Sequence, residues 1–469
     1  NDGFSTFGQS NPRAWYPKAS AAWVFTNFFG NAEHKGLLSY GKVRAAYGET
    51  GKEPNVYSTL ALLSSGSFAS SWGDALSAQQ GSVGGLFTSG SAGNSNLKPE
   101  REKEFETGLD LGLFDQMADI GITHYLDNAV DVILQVPRAP ETGYTSQLLN
   151  GASIRNHGWE TSFNIRPITR KNFAWDVGLQ WAQNETRVLS LNGAQFVSAG
   201  GGTFNEAVPS ATVGGSFEFR GLGFVRCGIS PTDQLNGQYP GLSTACAGAP
   251  HGALYVAATG FPVKDPVNRV IGDPNPAWTG GLHTGIRFRN WQFSALVDHK
   301  QGGDVVNATR GSLYNYGTHA DVGVRATCVD AGGGAFSCTG NEKTFGSGGL
   351  MSGPVVGPGA GKAVPLGENW YTGLGSIYSG IAEPFVENAT YTKLRELSVS
   401  YSLSSDWIRR NGFTRVDLQL SGRNLYTWTN YTGVDPETNL AGAASLVQGY
   451  DFYDLPQTRS VVFSVSLHR

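Results

Sequence analysis

Four cysteines are the most reactive groups in the chain, and they fall in two close pairs, Cys227 with Cys246 and Cys328 with Cys338. Thiols spaced this closely either hold a metal or oxidise to a disulfide. Neither pair has the Cys-x₂-Cys spacing of a zinc site, and no histidine is suitably spaced to complete one. Both pairs lie in Gly/Ser/Pro-rich segments. Two loop disulfides, Cys227–Cys246 and Cys328–Cys338, are the favoured reading, with zinc the competing one, and disulfides imply an oxidising compartment. Carboxylates come next. Glu104, Glu106 and Asp110 are spaced to share one face of a single strand. A hydrolase pair is the sharp reading of that spacing, and a polar wall is the favoured one. The eight histidines are scattered, and His283 and His299 suit wall or interface positions. The run Asp330 to Gly334 lacks the Asp-x-Asp spacing of a calcium loop. No His-Glu-x-x-His, Gly-x-Ser-x-Gly or Walker A sequence occurs. The chain is therefore expected not to be an enzyme, with no cofactor and no metal.

Composition narrows what must position these residues. Of 469 residues 64 are glycine, 15% are charged, and the aromatics number 25 Phe, 18 Tyr and 11 Trp. Ordinary soluble domains carry roughly 25% charge and about 7% glycine. So heavy an aromatic load argues against disorder. The net charge of −4 leaves no basic excess to neutralise phosphates, so no nucleic-acid partner is expected. No run of 18 apolar residues occurs, which excludes a membrane-spanning helix and leaves a membrane barrel open. Asn1-Asp2-Gly3 shows neither the basic nor the apolar region of a signal peptide. The sequence is expected to be processed, truncated or partial.

Period-two alternation is the main local signal. Phe105, Thr107, Leu109, Leu111 and Leu113 alternate with Glu104, Glu106 and Asp110. Trp159, Phe163 and Ile165 alternate with Glu160, Asn164 and Arg166. Trp175, Val177, Leu179 and Trp181 alternate with Asp176 and Gln180. Leu397, Val399 and Tyr401 alternate with Glu396 and Ser400. Val416, Leu418 and Leu420 alternate with Arg415, Asp417 and Gln419, and Val461, Phe463, Val465 and Leu467 with serines. Each strand has one apolar and one polar face. Eleven strands are expected: Trp15–Phe25, Leu37–Gly48, eight in four hairpins, and Thr458–His468. A further strand, or a segment folded within its loop, is expected at Ser216–Arg226.

The joins alternate too. Tight ones fall around Asp115, Pro167 to Asn172, Arg289-Asn290 and Asp406 to Gly412. Long ones run from Gly51 to Arg101, Pro137 to Ala152, Leu191 to Ala277, Gly302 to Tyr391 and Tyr426 to Gln457. Long loops at one end and short turns at the other are the habit of bacterial outer-membrane barrels. Trp15, Tyr16, Trp23, Trp291, Trp407, Tyr426 and Trp428 fit interface girdles near strand ends. A soluble, secreted β protein that binds glycans remains the alternative.

Several segments carry a family resemblance. Asn96-Leu97-Lys98-Pro99-Glu100 with Glu102 to Leu113 resembles the "NLKPE…EFE.G.DL" strand of SusC/RagA-type TonB-dependent outer-membrane transporters. Val270 to Pro276 resembles their "IGDPNP", and Lys393 to Tyr401 their "LR.L.LGY.LP". Ser421 to Thr429, with Tyr431 to Glu437, resembles "SGRNLFTWT.Y.G.DPE". Leu455 to Arg459 resembles "PQ.RT", and Phe7 to Trp23 resembles "FG…YFPS.SAAW". The motifs keep the family's order along the chain. The resemblance implies an all-β, antiparallel transmembrane β-barrel of roughly 22 strands with a plugged lumen. This chain, residues 1–469, would supply about eleven strands as the C-terminal part. Signal peptide, TonB box, plug and first half of the barrel are expected to be absent from it. Half a barrel would leave two unpaired edges in hydrocarbon, so a longer chain or a second polypeptide is expected to close it. Leu467-His468-Arg469 departs from the aromatic ending of most members.

The same resemblance implies active uptake of a large nutrient, an oligosaccharide or a peptide, in the bacterial outer membrane. The implied partners are a SusD-like lipoprotein, the TonB complex and outer-membrane lipid. A passive anchor or assembly component is the alternative within the family. If the apolar faces meet lipid, Glu106, Asp110, Glu160, Arg166, Asp176, Arg287, Glu396, Arg415, Asp417 and Arg423 line the lumen. Substrate and partner contacts are expected in the two longest joins, Leu191–Ala277 and Gly302–Tyr391. In the second, Tyr314, Tyr316, Trp370, Tyr371 and Tyr378 are the candidate contact residues.

Overall fold

A computed structural model describes residues 2–3, 13–29, 36–64, 67–70, 73–77, 79–80, 83–88, 90–198, 207–324, 326–332, 335–346, 351, 353–440, 442 and 448–469. Residues 7–12 of the motif from Phe7 to Trp23, and Gly333 and Gly334, lie outside the described residues. The chain forms two compact units. The first comprises Asn1–Val197, Thr212–Ser216 and Gly280–Arg289, and the second comprises Ser198–Ala211, Phe217–Thr279 and Asn290–Arg469.

The first unit is an antiparallel meander: β1 (Lys18–Val24), β2 (Leu38–Lys52), β3 (Glu100–Leu113), β4 (Ala118–Pro137), β5 (Ser146–Arg170), β6 (Phe173–Leu191) and β7 (Trp278–Phe288), which the unit holds from Gly280 on. Alternation sets the register. Glu106 stands opposite Ala46 and Tyr125, and Asp110 opposite Lys42 and Gly121. Polar side chains thus collect on one face, where Arg44 pairs with Glu106 and Lys42 with Asp110 at 2.7 Å. On the other face Val43, Phe105, Trp159, Leu179 and Trp181 stand exposed. The turn after β3 is tight because Phe114, Asp115 and Gln116 all take positive φ.

One expected long join is short. The sequence predicts a long join from Pro137 to Ala152, yet β4 runs to Pro137 and β5 begins at Ser146. Register shifts between Ala129 and Ile133, with Asp131 at φ 56°, rotate the strand there and break the alternation that the sequence reading followed.

The second unit holds β8 (Trp291–Gln301), β9 (Tyr391–Leu403), β10 (Arg415–Thr429) and β11 (Ser460–His468), again antiparallel neighbours in that order. Phe293, Leu397, Leu420, Val461, Phe463 and Leu467 are exposed on one face. The opposite face carries the Glu396–Arg423 pair at 3.4 Å and Asp417 with Arg415 and His468. The buried core of this unit lies elsewhere, in the long connections, where Phe219, Phe224, Leu254, Val306, Ile377, Ile381 and Phe385 are sealed from solvent. Residues 216–226 follow the second of the two expectations. Phe217–Gly221 pairs with Ala207–Thr212 and Arg269–Gly272 inside its own connection.

Candidate functional site

The connections 192–277, 302–390 and 430–459 carry the buried core and the polar clusters of the second unit. Their fold begins with turn chemistry. Asp273 accepts from the Asn275 amide at 2.9 Å, and Asp304 accepts from the Asp273 amide at 2.9 Å, which fixes the approach to β7. Asn307 caps the helix Ala308–Asn315 by accepting from the Arg310 amide. That helix then packs Ala308 and Tyr314 into the core.

Three polar clusters tie the connections together. Glu383 receives Arg226, Arg269 at 2.7 Å and the Phe224 amide at 2.9 Å, while Arg269 also faces buried Asp265. A side chain at Gly223 would press on the Glu383 carboxylate and the Arg269 guanidinium and displace the ends of both. Arg310 joins Glu387 at 2.9 Å and donates to the Tyr314 hydroxyl, which donates in turn to Asp321. Burial pushes the Tyr314 phenol up to about 12; Arg310 pulls against it and the bond to Asp321 adds to it. Asp451, buried, accepts from Tyr431 at 2.6 Å and Thr309 at 2.7 Å.

A fourth cluster fastens the last connection to β9. Lys393, only 3% exposed, lies 2.6 Å from Asp435 and 2.5 Å from Glu437. Arg395 bridges Glu437 and Asp298, each at 2.5 Å, and Tyr391 donates to Glu437 at 2.6 Å. Burial alone would raise the Glu437 carboxyl; hydrogen bonds from Arg395, Lys393 and Tyr391 overcome it and hold the group at about 2.

Between the first two clusters the connections leave a cavity of about 610 Å³, bordered by Arg226, Arg310, Trp370, Glu383 and Phe385. Its charged groups are engaged in those clusters, Arg226 with Glu383 and Arg310 with Glu387. Among the described residues no group of three or more His, Cys, Asp or Glu is placed to hold a metal.

Both cysteine pairs are bonded, Cys227–Cys246 across 19 residues and Cys328–Cys338 across 10. The first bond staples the short helix Leu242–Cys246 beside a small core of Val225, Leu235, Leu242 and Tyr255. In the chain-entropy account each bond contributes about 3 kcal/mol to the order of its own loop. Non-reducing peptide mapping should recover these two pairs. Four free thiols, or crossed pairs, would count against them.

The five aromatic candidates divide. Tyr314, Trp370 and Tyr371 are buried in the core and pack the connections themselves. Tyr316 and Tyr378 stand out at 65% and 41% exposure, with their rings 6.1 Å apart, and Ser312 hydrogen-bonds the Tyr378 hydroxyl at 3.0 Å. Of the expected wall residues, Glu106, Asp110 and Glu160 share the polar face of the first unit. Asp176 lies 3.6 Å from His283, and Arg287 is two positions beyond Gly285, whose Cβ would meet Asp176. Arg166 is exposed within β5, four residues before its end at Arg170. Glu396, Arg423, Arg415 and Asp417 pair on the polar face of the second unit. The sequence reading missed Arg226, Arg269, Glu383, Lys393 and Glu437 as partners. Lys393 and Glu437 both lie in motifs noted for their order along the chain, and a charge of each sign within those motifs was the available signal.

Comparison with known proteins gives concordant results. A family model described as TonB dependent receptor-like, beta-barrel, matches residues 1–425. TonB-dependent receptor P3 of Formosa agariphila is 26% identical over 487 aligned residues, covering 99% of this chain and 43% of that protein. TonB-dependent receptor SusC of Bacteroides thetaiotaomicron is 23% identical, over 99% of this chain and 41% of that protein. The chain thus spans less than half the length of the curated relatives it matches. Among solved structures, the RagAB peptide transporter superposes with a TM-score of 0.69 at 19% identity, over 99% of this chain and 44% of the other. At that identity the likeness speaks for the fold alone.

Proposed function

Because this chain belongs to the TonB-dependent receptor-like β-barrel family of the bacterial outer membrane, we propose that it forms the C-terminal part of the wall, and the capture loops, of an active importer of a large nutrient. The nutrient is an oligosaccharide or a peptide. A SusD-like surface lipoprotein hands it over, and the TonB complex supplies the energy through another part of the protein.

One observation carries this reading. The strands hold their aromatic and aliphatic side chains exposed, while the buried core sits in the connections. In water that arrangement would leave a large apolar face uncovered. In a bilayer the apolar face meets acyl chains, and the polar face, with Glu106, Asp110, Glu160, Asp176, Arg287, Glu396 and Arg423, lines a hydrated lumen. The folded connections then present a preformed surface, in which Tyr316 and Tyr378 offer apolar rings with polar tips, suited to sugar faces and partner surfaces alike.

The test is the pair of substitutions Tyr316→Ala and Tyr378→Ala in the natural receptor. Two lost ring contacts at about 0.5–1.5 kcal/mol each predict roughly a tenfold fall in uptake of the native solute at low concentration. Heat-modifiable migration, the sign of an assembled barrel, should not change. Unchanged uptake with normal assembly would remove these rings from the recognition surface.

A further inference from the structure

The largest charge clusters in the long connections are spent internally: Arg226 and Arg269 on Glu383, Arg310 on Glu387. The short turns differ, in each unit taken by itself. In the first unit the β5–β6 turn presents Arg170 and Lys171, with Arg166 just before it. All three are exposed, and none is ion-paired among the described residues. In the same unit Arg289 takes φ 54°, and its guanidinium lies 5.4 Å from the Phe288 ring centroid rather than on a carboxylate. In the second unit the β9–β10 turn holds Trp407 at 73% exposure beside Arg409 and Arg410. Arg409 has only a loose contact of 3.6 Å with Asp406, both well exposed, and Arg410 has no carboxylate partner among the described residues. Asp115 and Asp406 are the acids on these turns, so the turns are net basic in a chain whose formal charge is −4.

A solitary exposed arginine is satisfied by water. Here two turns, at Arg289 and at Arg409–Arg410, set cations beside an exposed aromatic ring, Phe288 and Trp407, and a third presents Arg170 and Lys171, each at the end of a strand whose face is apolar. That sequence of surfaces matches a membrane read inward: phosphate for the guanidinium fork, the interfacial layer for the ring, acyl chains for the strand. Basic side chains near an anionic bilayer surface are attracted to it, and the attraction fades within a Debye length. We propose that the short turns of each unit bind the phosphate-bearing headgroups of anionic phospholipids, and so fix the depth of the strands in the bilayer. This rests on the reading of the strands as membrane-spanning.

The experiment reconstitutes the natural, full-length receptor into nanodiscs of phosphatidylcholine with a minority of phosphatidylglycerol, and measures the lipid that stays with the protein after extraction. Phosphatidylglycerol should be enriched about fivefold over the bulk mixture at the bound sites, and the enrichment should fall as sodium chloride rises. Replacing Arg170, Lys171, Arg409 and Arg410 with glutamine should bring it to the bulk ratio. Lys343→Gln with Lys362→Gln, in a long connection, should leave it unchanged. If the fourfold variant does not assemble, the salt titration of the unmodified protein decides. Enrichment that is absent, salt-insensitive, or unaltered in an assembled fourfold variant overturns the proposal. So does its loss to inorganic phosphate at matched ionic strength, which would mark a site for the free ion. A receptor that fails to insert at all refutes the membrane reading instead.

Discussion

Lys393→Ala should release the connection 430–459 from β9 while leaving the strands paired. The lysine is buried between Asp435 and Glu437, and removing it leaves two carboxylates with less than the charge needed to hold them. Breaking a buried pair by deleting one partner costs about 3–5 kcal/mol. The loss falls on the local docking of one segment, because among the described residues Asp435 and Glu437 reach β9 through Lys393, Arg395 and Tyr391. Hydrogen exchange should show protection lost around Tyr431 to Glu437 and retained in β9 and β10. Unchanged protection there would refute the latch. A second arm uses acid. Glu437 is held near 2 against an ordinary 4.5. A carboxyl depressed by folding stabilises above its unfolded value, and that contribution is lost as pH falls toward the folded one. The latch should hold from neutrality down to about 4.5, then weaken progressively toward pH 2. Without Lys393 it should weaken at higher pH than in the unmodified protein.

Trp370→Ala should unfold much of the connection core and, on the proposed function, abolish uptake, while leaving the strands paired. The indole is 6% exposed, stacks near Phe261 at 5.7 Å and Phe224 at 6.5 Å, and meets Phe345 edge-on at 5.2 Å. Gly375 lies so close that a Cβ there would stand 2.4 Å from the ring. Truncating a buried tryptophan costs about 3–5 kcal/mol, transfer and cavity together. Limited proteolysis should then cut within 192–277 and 302–390, while heat-modifiable migration persists. Trp370→Phe, which keeps a ring, should restore much of the resistance. Equal resistance in the alanine variant and the unmodified protein would show that the core does not depend on this ring.

What the sequence disclosed follows from what repeats in it. Strands repeat every two residues, so β3, β6 and β10 were legible from Phe105, Trp175 and Val416 onward, and the tight turns from their lengths. The extension of β4 and β5 was not, because the bulge around Asp131 shifts the phase of the pattern. The connection core was hidden for a different reason. Phe224, Val306, Ile377 and Phe385 come one at a time from irregular backbone, and no period marks them as inward-facing. The ion clusters join residues as far apart as Phe224 and Glu383, a separation of 159 that no local spacing encodes. The aromatic candidates were found by type alone. Type does not distinguish Trp370, which fills the core, from Tyr316, which stands outside it.

The bond from Thr309 to Asp451 spans 142 residues, and Tyr450 beside it seats its ring edge-on against Phe219 at 5.3 Å. Contacts this distant along a chain carry a high loop-closure entropy and form slowly unless something else has already brought their ends together. The strands do that: each connection is anchored at both ends by neighbours in a sheet. The connection core is therefore late to mature during biogenesis, since it stays incomplete until the segment around Tyr450 has been delivered. A chain arrested before that point would lack both the closing contacts of the connection core and β11, which follows Tyr450 in the sequence. In a pulse-labelled cell the packing of the connections and the pairing of β11 with β10 should therefore appear together.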